Sequence, residues 1–168
     1  MSATASMGAF LRHSLLGRFG FAAATILLLA ALLAPWIAPA DPAAQNLPAR
    51  LSSPARTHWM GTDELGRDIA ARVLYGARVS LFVAVSVVCG CGLTGLLIGT
   101  VAGYAGGWFD RLVNIVLVNA FLSFPGVLLA IAFAAFLGPG IGKVILALVI
   151  TGWAGYARLA RAQVLKVK

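Results

Sequence analysis

Charge is what this sequence has least of. Only 11% of its 168 residues are charged, with 5 acids set against 13 lysines and arginines. Residues 19–40, 79–109, 112–142 and 144–157 carry no charge at all. Soluble domains average about 25% charged residues, and an aqueous globule has no use for uninterrupted apolar runs of that length. A helix rises ~1.5 Å per residue, so the first run spans roughly 33 Å, close to the hydrocarbon thickness of a bilayer. A water-soluble enzyme or binding domain is thereby excluded, and the fold class expected is an all-α polytopic membrane protein.

Other shortages narrow the function. There are two cysteines, Cys89 and Cys91. Two residues apart on a helix they point to nearly opposite sides, which rules out a shared metal or a disulfide and leaves them as small packing residues. His58 is the one histidine beyond the N-terminal tail, and no cysteine or serine pairs with it in sequence, so a membrane enzyme lacks its convergent groups. No G-x-x-x-x-G-K-[ST] loop occurs, so ATP is not bound by that motif. No ionisable residue lies deep within an apolar run, whereas proton- or ion-coupled carriers usually need one. The net charge of +8 invites a nucleic-acid reading, but the basic residues flank the apolar runs, where they meet headgroups and orient helices. No nucleic acid is expected as a partner; the lipid bilayer is.

What is present organises the chain. Residues 1–18 form a polar N-terminal tail. A transmembrane helix over 19–40 follows, and it exceeds the length of a signal-peptide core. Despite Ala38-Pro39-Ala40 it is therefore expected to stay uncleaved. Residues 41–79 form a segment outside, irregular at its prolines, with an amphipathic helix over about 62–78. Thr62 would cap that helix, Asp63 and Glu64 would suit its positive end, and Asp68 would pair with Arg72 one turn on. A docking or orienting role suits these carboxylates better than catalysis, because arginines surround them. The second transmembrane helix covers 80–104 and carries Gly95, Gly99 and Gly103, with Gly107 continuing the four-residue spacing. Such a stripe lets another helix backbone approach. A short inner loop spans 105–111. The third span, 112–137, contains Asn119 and Ser123 on one face and a kink at Pro125, which serves either a pathway or packing. Gly138-Pro139-Gly140 opens a turn over 138–143, the fourth span covers 144–157, and a basic amphipathic helix over 158–168 leaves the membrane. With both termini inside, the inner side carries Arg12, Arg18, Arg111, Arg158, Arg161, Lys166 and Lys168. The outer side carries Arg50, Arg56, Arg67, Arg72, Arg78 and Lys143. The flanks of the first and last spans favour this orientation.

Several blocks resemble one known family. They are His58-Trp59-Met60-Gly61-Thr62-Asp63-Glu64-Leu65-Gly66-Arg67-Asp68, Leu74-Tyr75-Gly76-Ala77-Arg78-Val79-Ser80-Leu81, and Ala102-Gly103-Tyr104-Ala105-Gly106-Gly107-Trp108-Phe109-Asp110-Arg111. Phe124-Pro125-Gly126 and Gly155-Tyr156-Ala157-Arg158-Leu159-Ala160-Arg161-Ala162-Gln163-Val164-Leu165 continue them. Together they are similar to the inner-membrane permeases of dipeptide, oligopeptide and nickel ABC importers. The signature residues of the outer segment are Gly61, Thr62, Asp63, Gly66, Arg67 and Asp68. The resemblance implies a partial type I permease fold, incomplete over about 80–168, and a bacterial inner-membrane location with the N-terminus cytoplasmic. It implies a second homologous permease, two cytoplasmic ATPase subunits that hold the ATP, and an external solute-binding protein, with no cofactor on this chain. It also implies that the sequence stops before a Glu-Ala-Ala coupling motif and two further spans. Where relatives often have an aspartate and a basic partner one turn earlier, this chain has Asn119 and Val116. The rival readings are a non-transporting truncated or assembly protein and, less favoured, a membrane enzyme.

Overall fold

The computed structural model describes residues 15–168. Of the tail over 1–18, residues 1–14 lie outside the described residues. The chain divides into two compact units, residues 1–81 and 82–168. Among the described residues every regular element is helical except an isolated bridge between Thr62 and Asp68.

The first unit holds helix α1 (Leu15–Ile37), a single 3-10 turn at Leu47–Ala49, an irregular segment, and the first turns of α2 (Ile69–Ala105). The first helix starts and ends three to four residues earlier than the 19–40 expected. A last bond runs from the Ala38 amide to the Ala34 carbonyl at 2.9 Å, and Pro39 then disfavours helical geometry at the residue before it. Most α1 side chains are exposed, including Phe19, Ile26, Leu27 and Trp36, while Ala31 and Ala34 are buried. An apolar helix bare over most of its surface suits lipid as its solvent.

The helix expected over 62–78 begins instead at Ile69 and runs without a break to Ala105. Asp68, not Thr62, is its cap, accepting the Ala71 amide at 2.8 Å. Gly66 stops the earlier start. Its φ of 70° is left-handed, and a Cβ there would run into the Asn46 carbonyl.

In the second unit, α2 is separated from α3 (Gly107–Ser123) by Gly106 alone, so the loop expected over 105–111 shrinks to one residue of positive φ. Helix α3 is α-helical at both ends and π-helical over Leu112–Val118. The span expected over 112–137 is not one rod. Phe124 is extended, as a residue before proline prefers, and Pro125 offers no amide to continue the ladder. Helix α4 (Gly126–Leu137) then leaves at 86° to α3. Gly138 and Gly140, both at positive φ, make the turn into α5 (Ile141–Val167). The span over 144–157 and the basic helix over 158–168 are one continuous element. Among the described residues, three helices are long and apolar enough to cross a membrane, or four if α3 and α4 count as one broken span. The all-α polytopic class stands.

The core of this unit is a seam between α2 and α5. Gly95, Gly99 and Gly103 turn their missing side chains to α5: a Cβ at Gly95 would lie 2.6 Å from the Trp153 carbonyl oxygen, and one at Gly99 2.9 Å from the Ala157 Cα. Ala147, Trp153, Ala154, Ala157 and Ala160 form the buried stripe of α5. Gly90 against Val149 and Gly152 against the Cys91 sulfur lengthen the seam beyond what the four-residue spacing disclosed. Gly107 is not part of it; it lies past the end of α2 with open space around it. Cys91 is buried, as a packing residue should be, but Cys89 is exposed.

Gly99→Ala is expected to destabilise the folded chain by about 1–3 kcal/mol by overpacking a backbone contact. Gly92→Ala, whose Cβ meets nothing within 4 Å, is expected to be neutral or slightly stabilising, since alanine is the better helix former. Thermal unfolding of both variants in detergent, followed by circular dichroism, checks the contrast in sign; equal effects would refute it.

Candidate functional site

Among the described residues, built arrangements occur in both units. In the first, two carboxylates fold the segment 46–72. Asp63 accepts the amides of Leu65 and Arg67 on one oxygen, both at 2.9 Å. Its other oxygen takes the Arg67 Nε–H at 2.8 Å and the Arg72 guanidinium. Asp68 faces His58 Nδ1 at 2.9 Å while capping α2. The expected Asp68–Arg72 pair is thus replaced by Asp63–Arg72 and Asp68–His58, because Asp63 reaches Arg72 from the turn preceding the helix. Thr62 works in the turn rather than at a helix end. Its hydroxyl donates to the Ala49 carbonyl and accepts the Ser52 amide at 2.9 Å. Next to it Leu51 sits at φ 53°, a left-handed conformation rare for leucine, held by its amide on the Asp63 carbonyl at 3.1 Å. Gly61, at φ 75°, is pressed against the Ser52 carbonyl.

The electrostatics follow from these contacts. Burial pushes the Asp63 carboxyl up, but the amides of Arg67 and Leu65 and the Arg67 guanidinium outweigh it and hold the group at about 2. Asp68 is also pushed up by burial and drawn down further by the Ala71 amide and His58, for a net lowering. All six signature residues, Gly61, Thr62, Asp63, Gly66, Arg67 and Asp68, therefore meet in one turn cluster. Glu64 stays exposed. None of this presents a nucleophile beside a free base, and among the described residues no group of three potential metal ligands occurs.

In the second unit an apolar groove of about 570 Å³ lies between α2, α4 and α5, lined by Val87, Cys91, Val127, Ala130, Leu148 and Thr151 among others. Its α4 wall begins just past the Phe124–Pro125 break. Among the described residues neither Asn119 nor Ser123 makes a side-chain hydrogen bond to another helix. The Ser123 hydroxyl donates to the Asn119 carbonyl of its own helix at 2.7 Å, and both residues are exposed. What the sequence did not disclose is the tie at the other end of α3. Arg161 of α5 grips Asp110 through Nε at 2.6 Å and Nη2 at 2.5 Å, and the Asn114 amide group supports the same carboxylate at 2.7 Å. A lone acid between two apolar runs was the available signal, but four basic residues of segment 158–168 were equal candidates for its partner.

Comparison with known proteins agrees with the residue blocks. A family profile described as the N-terminal TM domain of oligopeptide transport permease C matches residues 8–54. The dipeptide transport system permease protein DppC of Bacillus subtilis (strain 168) is 39% identical over 158 residues, covering 94% of this chain and 49% of the relative. The probable D,D-dipeptide transport system permease protein DdpC of Escherichia coli (strain K12) is 41% identical over 143 residues, covering 85% and 48%. The nickel transport system permease protein NikC of the same strain is 39% identical over 143 residues, covering 85% and 51%. The chain spans about half the length of the curated relatives it matches.

Because its folded carboxyl is held below its ordinary value of 3.8, Asp63 contributes stability that is complete above that value and is lost as pH falls through about 2. Hydrogen exchange at the Leu65 and Arg67 amides is expected to show protection falling across that window. In Asp63→Asn the step should vanish, and a step that persisted would assign the transition to another group.

Proposed function

With the chain related, over 94% of its length, to the permease subunits of peptide and nickel ABC importers, we propose that it supplies part of the translocation pathway of an ATP-driven, binding-protein-dependent importer. The solute is a peptide or a related small molecule or ion. The observation that carries this reading is the 39% identity to a dipeptide permease over 158 residues of a chain whose helices suit a bilayer. It is a multi-pass membrane protein, and as a relative of transport permeases it is not expected to catalyse a reaction of its own. In this reading no cofactor binds here, and ATP sits on two partner ATPases in the cytoplasm. A second homologous permease completes the channel and an external binding protein delivers the solute.

The N-terminus lies in the cytoplasm in this reading. Residues 38–68 and the Gly138–Gly140 turn then face outward, while Asp110, Arg161 and the basic end of α5 face the motors. The cycle is alternating access: closure of the ATPases favours one arrangement of the helices and release favours the other. The groove beside the α3–α4 break suits a moving pathway wall, because irregular backbone in a membrane is tolerated where it lines a cavity or is buried in protein.

Affinity purification of the tagged chain from its own membranes tests the reading. A second permease and two ATPase subunits should copurify, and the complex should hydrolyse ATP. Isolation as a lone chain or a homo-oligomer without an ATPase would overturn it in favour of a non-transporting membrane protein.

A further inference from the structure

Helix α3 is held to α5 at two places. At its start Asp110 meets the Arg161 guanidinium side-on through two nitrogens. Near its end Phe121 packs edge-on against Trp153, with ring centroids 5.5 Å apart at 70°. Between these ties lies the π-helical stretch Leu112–Val118, whose Val113 and Val118 are buried with Trp153, Ala154 and Ala157. Just beyond the second tie is the Phe124–Pro125 break, and past it Val127 enters the apolar groove.

The ion pair is a poor candidate for a device that only adds stability. The Arg161 side chain is 33% exposed while Asp110 is buried, and the desolvation of a buried charge offsets much of what such a pair gains. A two-point grip of a planar guanidinium on a carboxylate does something else well: it fixes direction. π-Helical turns are rare and occur frequently at functional sites. The lever arm is short and continuous, since Arg161 belongs to the same basic segment as Arg158, Lys166 and Lys168.

We infer that Asp110 and Arg161 are positioning residues of the transport cycle: their pair makes α3 follow the basic end of α5, so that displacement of segment 158–168 is delivered to the break at Phe124–Pro125 and to the groove beyond it. This deepens the importer reading and rests on it. The pair touches no solute; it acts through α3.

The test uses the assembled complex in membrane vesicles. Val127→Cys, in a background of Cys89→Ala and Cys91→Ala, reports on the groove through its labelling by a membrane-impermeant maleimide. The rate is measured with and without ATP and vanadate, alongside ATP hydrolysis before trapping. In the parent the rate should change by about fivefold or more, as expected when a ligand moves a two-state equilibrium. Asp110→Asn and Arg161→Gln should each shrink that change to below about twofold with hydrolysis retained, and the exchanged pair Asp110→Arg with Arg161→Asp should restore it, as for directly coupled residues. Arg161→Lys keeps the charge without the fork and should behave like Arg161→Gln, which covers the case in which the neutral variants fail to assemble. Persistence of the full change in the single variants overturns the inference. So does its loss only together with hydrolysis in every variant, which would make the pair merely structural. An unmutated complex that holds its ATPases yet shows no change overturns this inference alone. An unmutated chain without ATPases brings down the importer reading with it.

Discussion

Lipid tails are as apolar as leucine, so pressing one greasy helix against another in a membrane gains nothing from water; what holds helices there is closeness of contact. In residues 82–168 that closeness is bought by leaving side chains out. Gly90, Gly95, Gly99 and Gly103 remove four side chains from one face of α2, and Ala147, Ala154, Ala157 and Ala160 keep the facing stripe of α5 small. Trp153 is the one large side chain in that stripe, and it is turned to Phe121 and the core around Val113 and Val118. Everything else in the unit hangs on this seam: α3 is positioned by its contacts with α5, and α4 forms the far wall of the groove that α2 and α5 leave open.

The same solvent dictates where polarity is allowed. The hydroxyls of Thr94, Thr100, Ser123 and Thr151 each donate to a carbonyl of their own helix, so they satisfy themselves without joining neighbours. Among the described residues, apart from the weak donation of the Cys91 thiol to the Leu148 carbonyl at 3.6 Å, the polar links between helices gather at helix ends. Asp110 meets Arg161 there, and the Lys168 ammonium donates to the Tyr104 carbonyl at 2.7 Å while lying 5.5 Å from the centroid of the Tyr104 ring. A middle held by van der Waals contact and an end held by directed charge divide the labour between adhesion and orientation.

The sequence disclosed what depends on local composition and hid what depends on distant partners. The apolar runs, the Ser-Phe-Pro-Gly break and the Gly-Pro-Gly turn were legible because each is a property of a few adjacent residues. The start of α2 was not. Thr62 and Asp68 are both favoured cap types, and the choice between them is made by Gly66, which must be left-handed to lie against Asn46, twenty positions back. Four-residue spacing likewise extended the glycine stripe to Gly107, whereas Gly106 at φ 66° had already ended the helix. The partner of Asp110 lies 51 residues away, and nothing in spacing or charge singles out Arg161 from its basic neighbours.

The turn cluster also bears on why similarity to permeases of this kind does not single out a cargo. The residues that carry the resemblance are turned inward. Asp63 is spent on Leu65, Arg67 and Arg72, Asp68 on His58 and Ala71, Thr62 on Ala49 and Ser52, and both glycines on close backbone contacts. Residues committed in this way encode a shape, while Trp59, Met60 and Glu64 are left at the surface. A motif that encodes shape should be shared by permeases whatever they carry. The identities behave accordingly: 39% to a dipeptide permease, 41% to a D,D-dipeptide permease and 39% to a nickel permease do not separate one solute from another. In the importer reading, the groups left free to meet a solute are those the fold does not consume, which in residues 82–168 are the groove-facing positions of α2, α4 and α5 rather than the glycine seam that holds α2 to α5.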